Sequence, residues 1–204
     1  MAHLNQNACT IHLVGVGGQG ALTVSKIIGA AALKKGIPII VSEIHGMAQR
    51  GGVVQTTIRL GDTISPLPFG QDITVMVGFE PLELYRARNQ LTKETIVVVS
   101  TDPIRPTSVS SGGQKYPEPE AVLEEMRRHL KCVFPLSAKK CAKEAGNERA
   151  ANVVLLGALL GTDAIPFTYE EVREAVEKTV PSKSLEVNLK AFDLGYNETH
   201  GKSP

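Results

Sequence analysis

Cysteine is scarce in this chain, with Cys9, Cys132 and Cys141 as its whole complement. They are odd in number, widely spaced and free of any C-x-x-C pair. The sequence therefore shows neither the paired ligands of a zinc site nor the four thiolates that an iron–sulfur cluster needs. Reduced thiols in a cytoplasmic protein are the expectation. Tryptophan is missing and aromatic residues make up only 4%. That leaves little stacking surface for single-stranded nucleic acid. A charge excess is lacking too, the formal net charge being +1, and no basic stripe stands out as a nucleic-acid footprint would. No apolar run reaches the roughly 20 residues of a membrane helix. The opening Met-Ala-His-Leu-Asn-Gln-Asn has neither the basic start nor the apolar stretch of a signal peptide.

What is present is ordinary globular material: 204 residues, 42% apolar and 21% charged. That suffices for one domain with a core of its own. Thr10–Gly15 reads as a short buried strand. Residues 21–35 read as a helix with Leu22, Val24, Ile27, Ile28 and Ala31 inward, stopped by Gly36 and Pro38. Ile39–Ser42 reads as a second buried strand, parallel to the first in a right-handed βαβ unit. Further strands are expected at 53–60, 72–78, 95–100 and 131–136, with helices at 81–91 and 120–130. Ser137 is placed to cap a following segment. The stretch 101–119, rich in Pro, Ser, Thr and Gly, reads as a long functional loop with room for a β-ribbon.

The last third reads as helical. Ala150–Leu160 is apolar nearly all round, with Asn152 its polar exception and Gly157 and Gly161 suited to close helix packing, within the chain or across a subunit interface. Thr168–Glu171 forms a capping box, and a last helix covers 183–196. The expected fold class is therefore α/β. It is one Rossmann-like three-layer domain over residues 1–204, with a mainly parallel sheet and additional C-terminal helices.

Two segments carry chemistry. Gly15-Val16-Gly17-Gly18-Gln19-Gly20 follows a strand and opens a helix, so it can offer backbone N–H groups and a helix N-terminus to an anion. Glu43 closes the second strand, where a dinucleotide-binding acid would meet a ribose. The pattern alone leaves three readings open: a dinucleotide, another phosphate-bearing ligand, or a tight turn that only packs a helix on a sheet. The second segment is Ser42-Glu43-Ile44-His45-Gly46-Met47-Ala48-Gln49-Arg50-Gly51-Gly52. Here a glycine pair sits beside Arg50, whose planar fork suits phosphate or carboxylate. His45 could titrate near neutrality, and as a bland alternative it only bonds backbone.

Together the two segments resemble the γ-type domain of 2-oxoacid:ferredoxin oxidoreductases. The His-Gly-Met-Ala-Gln-Arg-Gly-Gly form at 45–52 resembles the indolepyruvate branch, and residues 152–160 and 183–195 extend the likeness over most of the chain. The resemblance implies a pyruvate/ketoisovalerate oxidoreductase γ-type domain acting as the non-redox small (β) subunit. In the complex, a 2-oxoacid would be decarboxylated on thiamine diphosphate, its electrons passed through iron–sulfur clusters to ferredoxin, and its acyl group taken by coenzyme A. Thiamine diphosphate and the clusters would sit on a larger partner subunit, with coenzyme A at the interface and no cofactor on this chain alone. Arg50 and His45 are the candidate catalytic residues. Gly15, Gly17, Gly18, Gln19, Gly20, Ser42, Gly51 and Gly52 are candidates for holding a cofactor. An independent NAD- or FAD-binding oxidoreductase is the alternative, and the apolar 150–160 helix would allow a homodimer of the isolated chain.

Overall fold

The computed structural model describes residues 8–46, 52–63, 65–66, 72–104 and 116–202. Six strands, β1 (Cys9–Val16), β2 (Ile39–His45), β3 (Val53–Leu60), β4 (Val75–Gly78), β5 (Ile96–Ser100) and β6 (Cys132–Leu136), form one sheet in the order β2-β3-β1-β4-β5-β6. The helices are α1 (Ala21–Lys35), α2 (Pro81–Ala87), α3 (Pro119–His129), α4 (Ala138–Ala145), α5 (Ala151–Gly161), α6 (Tyr169–Thr179) and α7 (Leu185–Thr199). β1, β4, β5 and β6 run parallel, and the first three are buried on both faces and rich in valine and isoleucine, as helix-covered parallel strands must be, while the edge strand β6 is only partly buried. α1 and α4 to α7 pack on one face around Leu13, Val77 and Val98. α2 and α3 cover the other around Val14, Met76 and Val97. The mixed, mainly parallel α/β architecture is the one expected.

The first βαβ unit differs from the expectation. β3 lies antiparallel between β1 and β2, so β2 shares the direction of β1 but not its ladder. The cause is length. A parallel return needs a crossover of about a dozen residues or more, and the segment 46–52 is shorter than that, so it closes as a hairpin. β2 is thereby the sheet edge, and Val41 and Ile44 are 42% and 54% exposed rather than buried. Leu22 is also outward, because it lies two residues before Val24 and so across the helix from it. Among the described residues the exposed large hydrophobic side chains are Leu22, Leu33, Val41 and Ile44, all on α1 and β2. The opposite edge strand, β6, carries Pro135, which has no N–H to offer a further strand.

Helix ends follow their caps. Gly36 in the left-handed conformation stops α1, and Ser137 accepts from the Lys140 N–H to start α4. Both halves of the Thr168/Glu171 capping box are formed at α6. α5 is buried inside this chain against α7. Side chains at Gly157 or Gly161 would run into Phe192 and Thr199, and one at Gly195 into the Val154 carbonyl. The glycines thus serve close packing within the chain, which removes the ground on which a homodimer through this helix was expected. Of the 101–119 stretch, in which a ribbon had room, residues 105–115 lie outside the described residues. No helix among them is long and apolar enough to cross a membrane.

Candidate functional site

The turn after β1 brings the two sequence segments together. The Gly17 N–H donates to the Gly52 carbonyl at 2.9 Å, and the Gly46 N–H to the Val53 carbonyl at 2.8 Å. The hairpin that carries the second segment therefore closes directly onto the glycine loop. Between them opens a cleft of about 520 Å³, lined by the loop from Val16 to Gly20, by Ala21, Leu22 and Val54, and by His45 and Gly46. Arg50 and Gly51 lie outside the described residues. In the sequence Arg50 precedes Gly52 by two residues.

Each loop residue has a distinct task. Gly15 is packing: a side chain there would meet Phe79 Cβ at 2.8 Å. Gln19 Oε1 accepts from the Val16 N–H at 2.7 Å, and Nε2 donates to the Phe79 carbonyl at 2.8 Å. Both ends of that side chain therefore hold backbone, tying the turn after β1 to the end of β4. Gly20 sits at φ 84° as the residue before α1, and a side chain there would meet Asn152 Nδ2 at 2.6 Å. That Asn152 amide, buried at the start of α5, reaches the Gly20 carbonyl at 3.3 Å. Gly18, at φ 99°, has open space around it. Among the described residues the Gly18 and Gly20 N–H groups have no acceptor, and α1 has no side-chain cap. The turn is held by Gln19 and Asn152 and leaves two amides without an acceptor, the arrangement that receives an anion.

On the facing strand, His45 Nε2 lies 3.1 Å from Glu43 Oε2, with the imidazole more than half exposed. Glu43 Oε1 is buried without a hydrogen-bond partner. Ser42 Oγ donates to the Pro66 carbonyl at 2.9 Å, away from the cleft. The topology weighs against the dinucleotide reading. A ribose-binding acid belongs at the end of the strand next to β1. With β3 inserted, Glu43 stands two strands away, about 10 Å at the usual spacing.

The far side of the glycine loop opens on a second hollow, of about 170 Å³, over the carboxyl ends of β1, β4, β5 and β6. Gly18, Gln19, Phe79, Ile104, Lys139, Arg149 and Leu155 contribute to its wall. This is where the chain changes direction across the sheet, between β1 and β4, and where open α/β sheets place ligands. Asp102 organises the rim. Its carboxylate accepts from Ser137 Oγ (2.8 Å), Ser100 Oγ (3.0 Å) and the Lys139 N–H (2.8 Å). Glu80, fully buried, caps α2 through the Glu83 N–H and also holds the Ile104 N–H and the Tyr116 hydroxyl. Burial pushes the neighbouring Glu83 carboxyl above the usual carboxylate range. Asp102, Glu80 and Arg149 are absent from the sequence-based site, because their partners are far along the chain and no spacing joins them.

Two loops joined at the carboxyl edge of such a sheet invite comparison with known proteins. Residues 10–198 match the sequence model of the family described as Pyruvate ferredoxin/flavodoxin oxidoreductase. The chain belongs to that family. It is 43% identical to the Indolepyruvate oxidoreductase subunit IorB of Archaeoglobus fulgidus, over 95% of this chain and 96% of the relative. It is likewise 43% identical to the subunit of that name from Pyrococcus horikoshii, over 91% and 93%. Among solved structures, the gamma subunit of a keto/oxoacid ferredoxin oxidoreductase from Geobacter sulfurreducens aligns with a TM-score of 0.69 at 21% identity, over 95% of this chain and 97% of that one. A 2-oxoglutarate:ferredoxin oxidoreductase from Magnetococcus marinus aligns with a TM-score of 0.73 at 20% identity. It covers 96% of this chain but only 31% of its own. This oxidoreductase-subunit fold thus occurs both as a separate chain and as one third of a longer one.

Proposed function

We propose that this chain is the non-redox small subunit of an indolepyruvate-type 2-oxoacid:ferredoxin oxidoreductase, and that its first cleft completes an active site held by a larger partner subunit. The observation that carries the reading is the Gly17–Gly52 hydrogen bond, which joins both motif loops around one open cleft. Thiamine diphosphate and iron–sulfur clusters on the partner would supply the decarboxylation and electron transfer. This chain's part is binding and orientation. The unpaired amides of Gly18 and Gly20, with the Arg50 guanidinium, suit an anionic group: the carboxylate of the 2-oxoacid or a phosphate of coenzyme A. Val16, Leu22 and Val54 give the cleft apolar walls, which fit an aryl side chain. His45, held by Glu43, stands at the rim, where it can give or take a proton.

The test is Arg50→Ala in the complex reconstituted with its larger subunit, assayed with an aryl 2-oxoacid, coenzyme A and a low-potential acceptor. Losing a charge-assisted contact should raise one Michaelis constant about tenfold or more. Whichever constant rises identifies the anion. Unchanged constants for both substrates would remove the proposal.

A further inference from the structure

The glycine loop and the two hollows beside it lie at the carboxyl edge of the sheet. At the amino edge a third hollow, of about 310 Å³, opens between the single turn Arg88–Gln90 that ends α2, the link from Leu91 into β5, and the last turn of α3. Its two sides differ. One is cationic and fixed in place. The Arg88 guanidinium lies over the Tyr85 ring, 4.0 Å from the centroid, and donates through Nη1 to the Tyr85 carbonyl at 2.8 Å. Stacked and held through one nitrogen, a guanidinium keeps its other N–H groups for a further acceptor. Lys93 stands on the turn that follows. That turn is rigid, because Thr95 Oγ1 accepts from the Thr92 N–H at 3.1 Å and donates to the Ile73 carbonyl at 3.0 Å. The Lys93 carbonyl in turn accepts from the Lys131 N–H at 3.3 Å. Nearby cations face carboxylates: Arg86 pairs with Glu83, Arg128 with Glu125 and Lys131 with Glu94. Among the described residues neither Arg88 nor Lys93 has such a partner.

The side formed by α3 is apolar at depth. Met126 and Leu130 are buried there, and Leu91 packs on the same cluster. Its one acid is already engaged, since Glu125 meets His129 at 3.1 Å and Arg128 at 3.8 Å. A matching ligand carries one negative charge at one end and an apolar body at the other. A planar fork beside a point charge suits a carboxylate. A second negative charge would face Glu125 and the carbonyl end of α3, both of which repel it. For the body, a methionine thioether between leucines favours a ring. We propose that this hollow is a binding site for a small aryl carboxylate. The carboxylate lies between Arg88 and Lys93, and the ring rests on Met126 and Leu130. This site is at the opposite edge of the sheet from the Arg50 cleft and does not rest on the reading of that cleft.

The experiment is titration of the full chain, labelled at the methionine methyl groups, with 3-phenylpropionate in low salt, followed by nuclear magnetic resonance. The Met126 methyl signal, assigned through Met126→Leu, should shift saturably. The neutral analogue 3-phenylpropanol should bind about tenfold more weakly or worse, and propionate, which lacks the ring, should not saturate. Arg88→Gln/Lys93→Gln should weaken 3-phenylpropionate about tenfold or more. Both side chains reach solvent, and circular dichroism of the variant separates lost binding from lost folding. Arg149→Gln, which removes a cation at the other edge of the sheet, should leave the Met126 titration unaltered. The proposal is overturned by a Met126 signal that does not saturate, by an alcohol bound as tightly as the acid, or by a folded Arg88/Lys93 variant that binds as the parent does. A shift confined to Met47, in the segment that carries Arg50, overturns it as well, since that would place the acid in the first cleft.

Discussion

Gln19 joins two backbone groups that no strand or helix satisfies: the Val16 N–H and the Phe79 carbonyl, both on buried residues. Gln19→Ala strips both of a partner, and a buried polar group left alone costs about 1–3 kcal/mol. Because the loop borders two open clefts, water recovers part of that. The expected loss is about 2 kcal/mol in urea unfolding, with Gln19→Glu giving no rescue at neutral pH, since a carboxylate cannot donate to the Phe79 carbonyl. A parent-like urea midpoint for Gln19→Ala would show the bridge to be unimportant. The sequence marks Gln19 through its place in G-x-G-x-x-G and suggests a ligand contact. Its inward role is invisible there because the Phe79 partner is distant in the chain. Asn152 is more legible, since one amide in an otherwise apolar helix needs a polar partner, and it finds the Gly20 carbonyl.

Among the elements, the α5–α7 contact is set by backbone approach rather than by large side chains. Gly195→Ala drives a methyl group into the Val154 carbonyl. Overpacking of this kind costs about 1–3 kcal/mol, and more where backbone must move. The matched control is Gly29→Ala in α1, where the added carbon meets open space and helix propensity should give back about 0.5–1 kcal/mol. Opposite shifts in melting temperature are the expected result, and a neutral Gly195→Ala would refute the close-packing account. Element limits were readable wherever a cap or glycine punctuates the chain, as at Gly36 and Thr168. Strand and helix order suggest β2 as the parallel neighbour of β1, whereas the short 46–52 link turns β3 back as a hairpin that lies between them.

For the molecule as a whole, His12 couples stability to pH. It is buried in β1 with Nδ1 at 2.9 Å from Thr57 Oγ1 and Nε2 unpartnered, and burial lowers its pKa from 6.5 to about 4. The folded state therefore stays neutral while the unfolded chain takes up a proton below pH 6.5. Stability is full above that value and falls as the pH drops toward about 4, by about 3 kcal/mol in all. His12→Asn, which keeps a hydrogen-bonding group beside Thr57 but cannot titrate, should show a flatter profile of urea midpoint between pH 7 and pH 4.5. A variant as acid-sensitive as the parent would acquit His12. At this scale the first cleft was legible because its parts lie close together in sequence. The second hollow was not, since Phe79, Asp102, Lys139 and Arg149 come from scattered segments and meet only through the fold. One consequence follows from the way the hairpin tip closes on the turn after β1. Among the described residues, every wall of the first cleft comes from residues 16–54, a contiguous block within strands β1 to β3. On the proposed function it is a cassette: grafting residues 9–60 between related subunits would then carry a substrate preference from one to another.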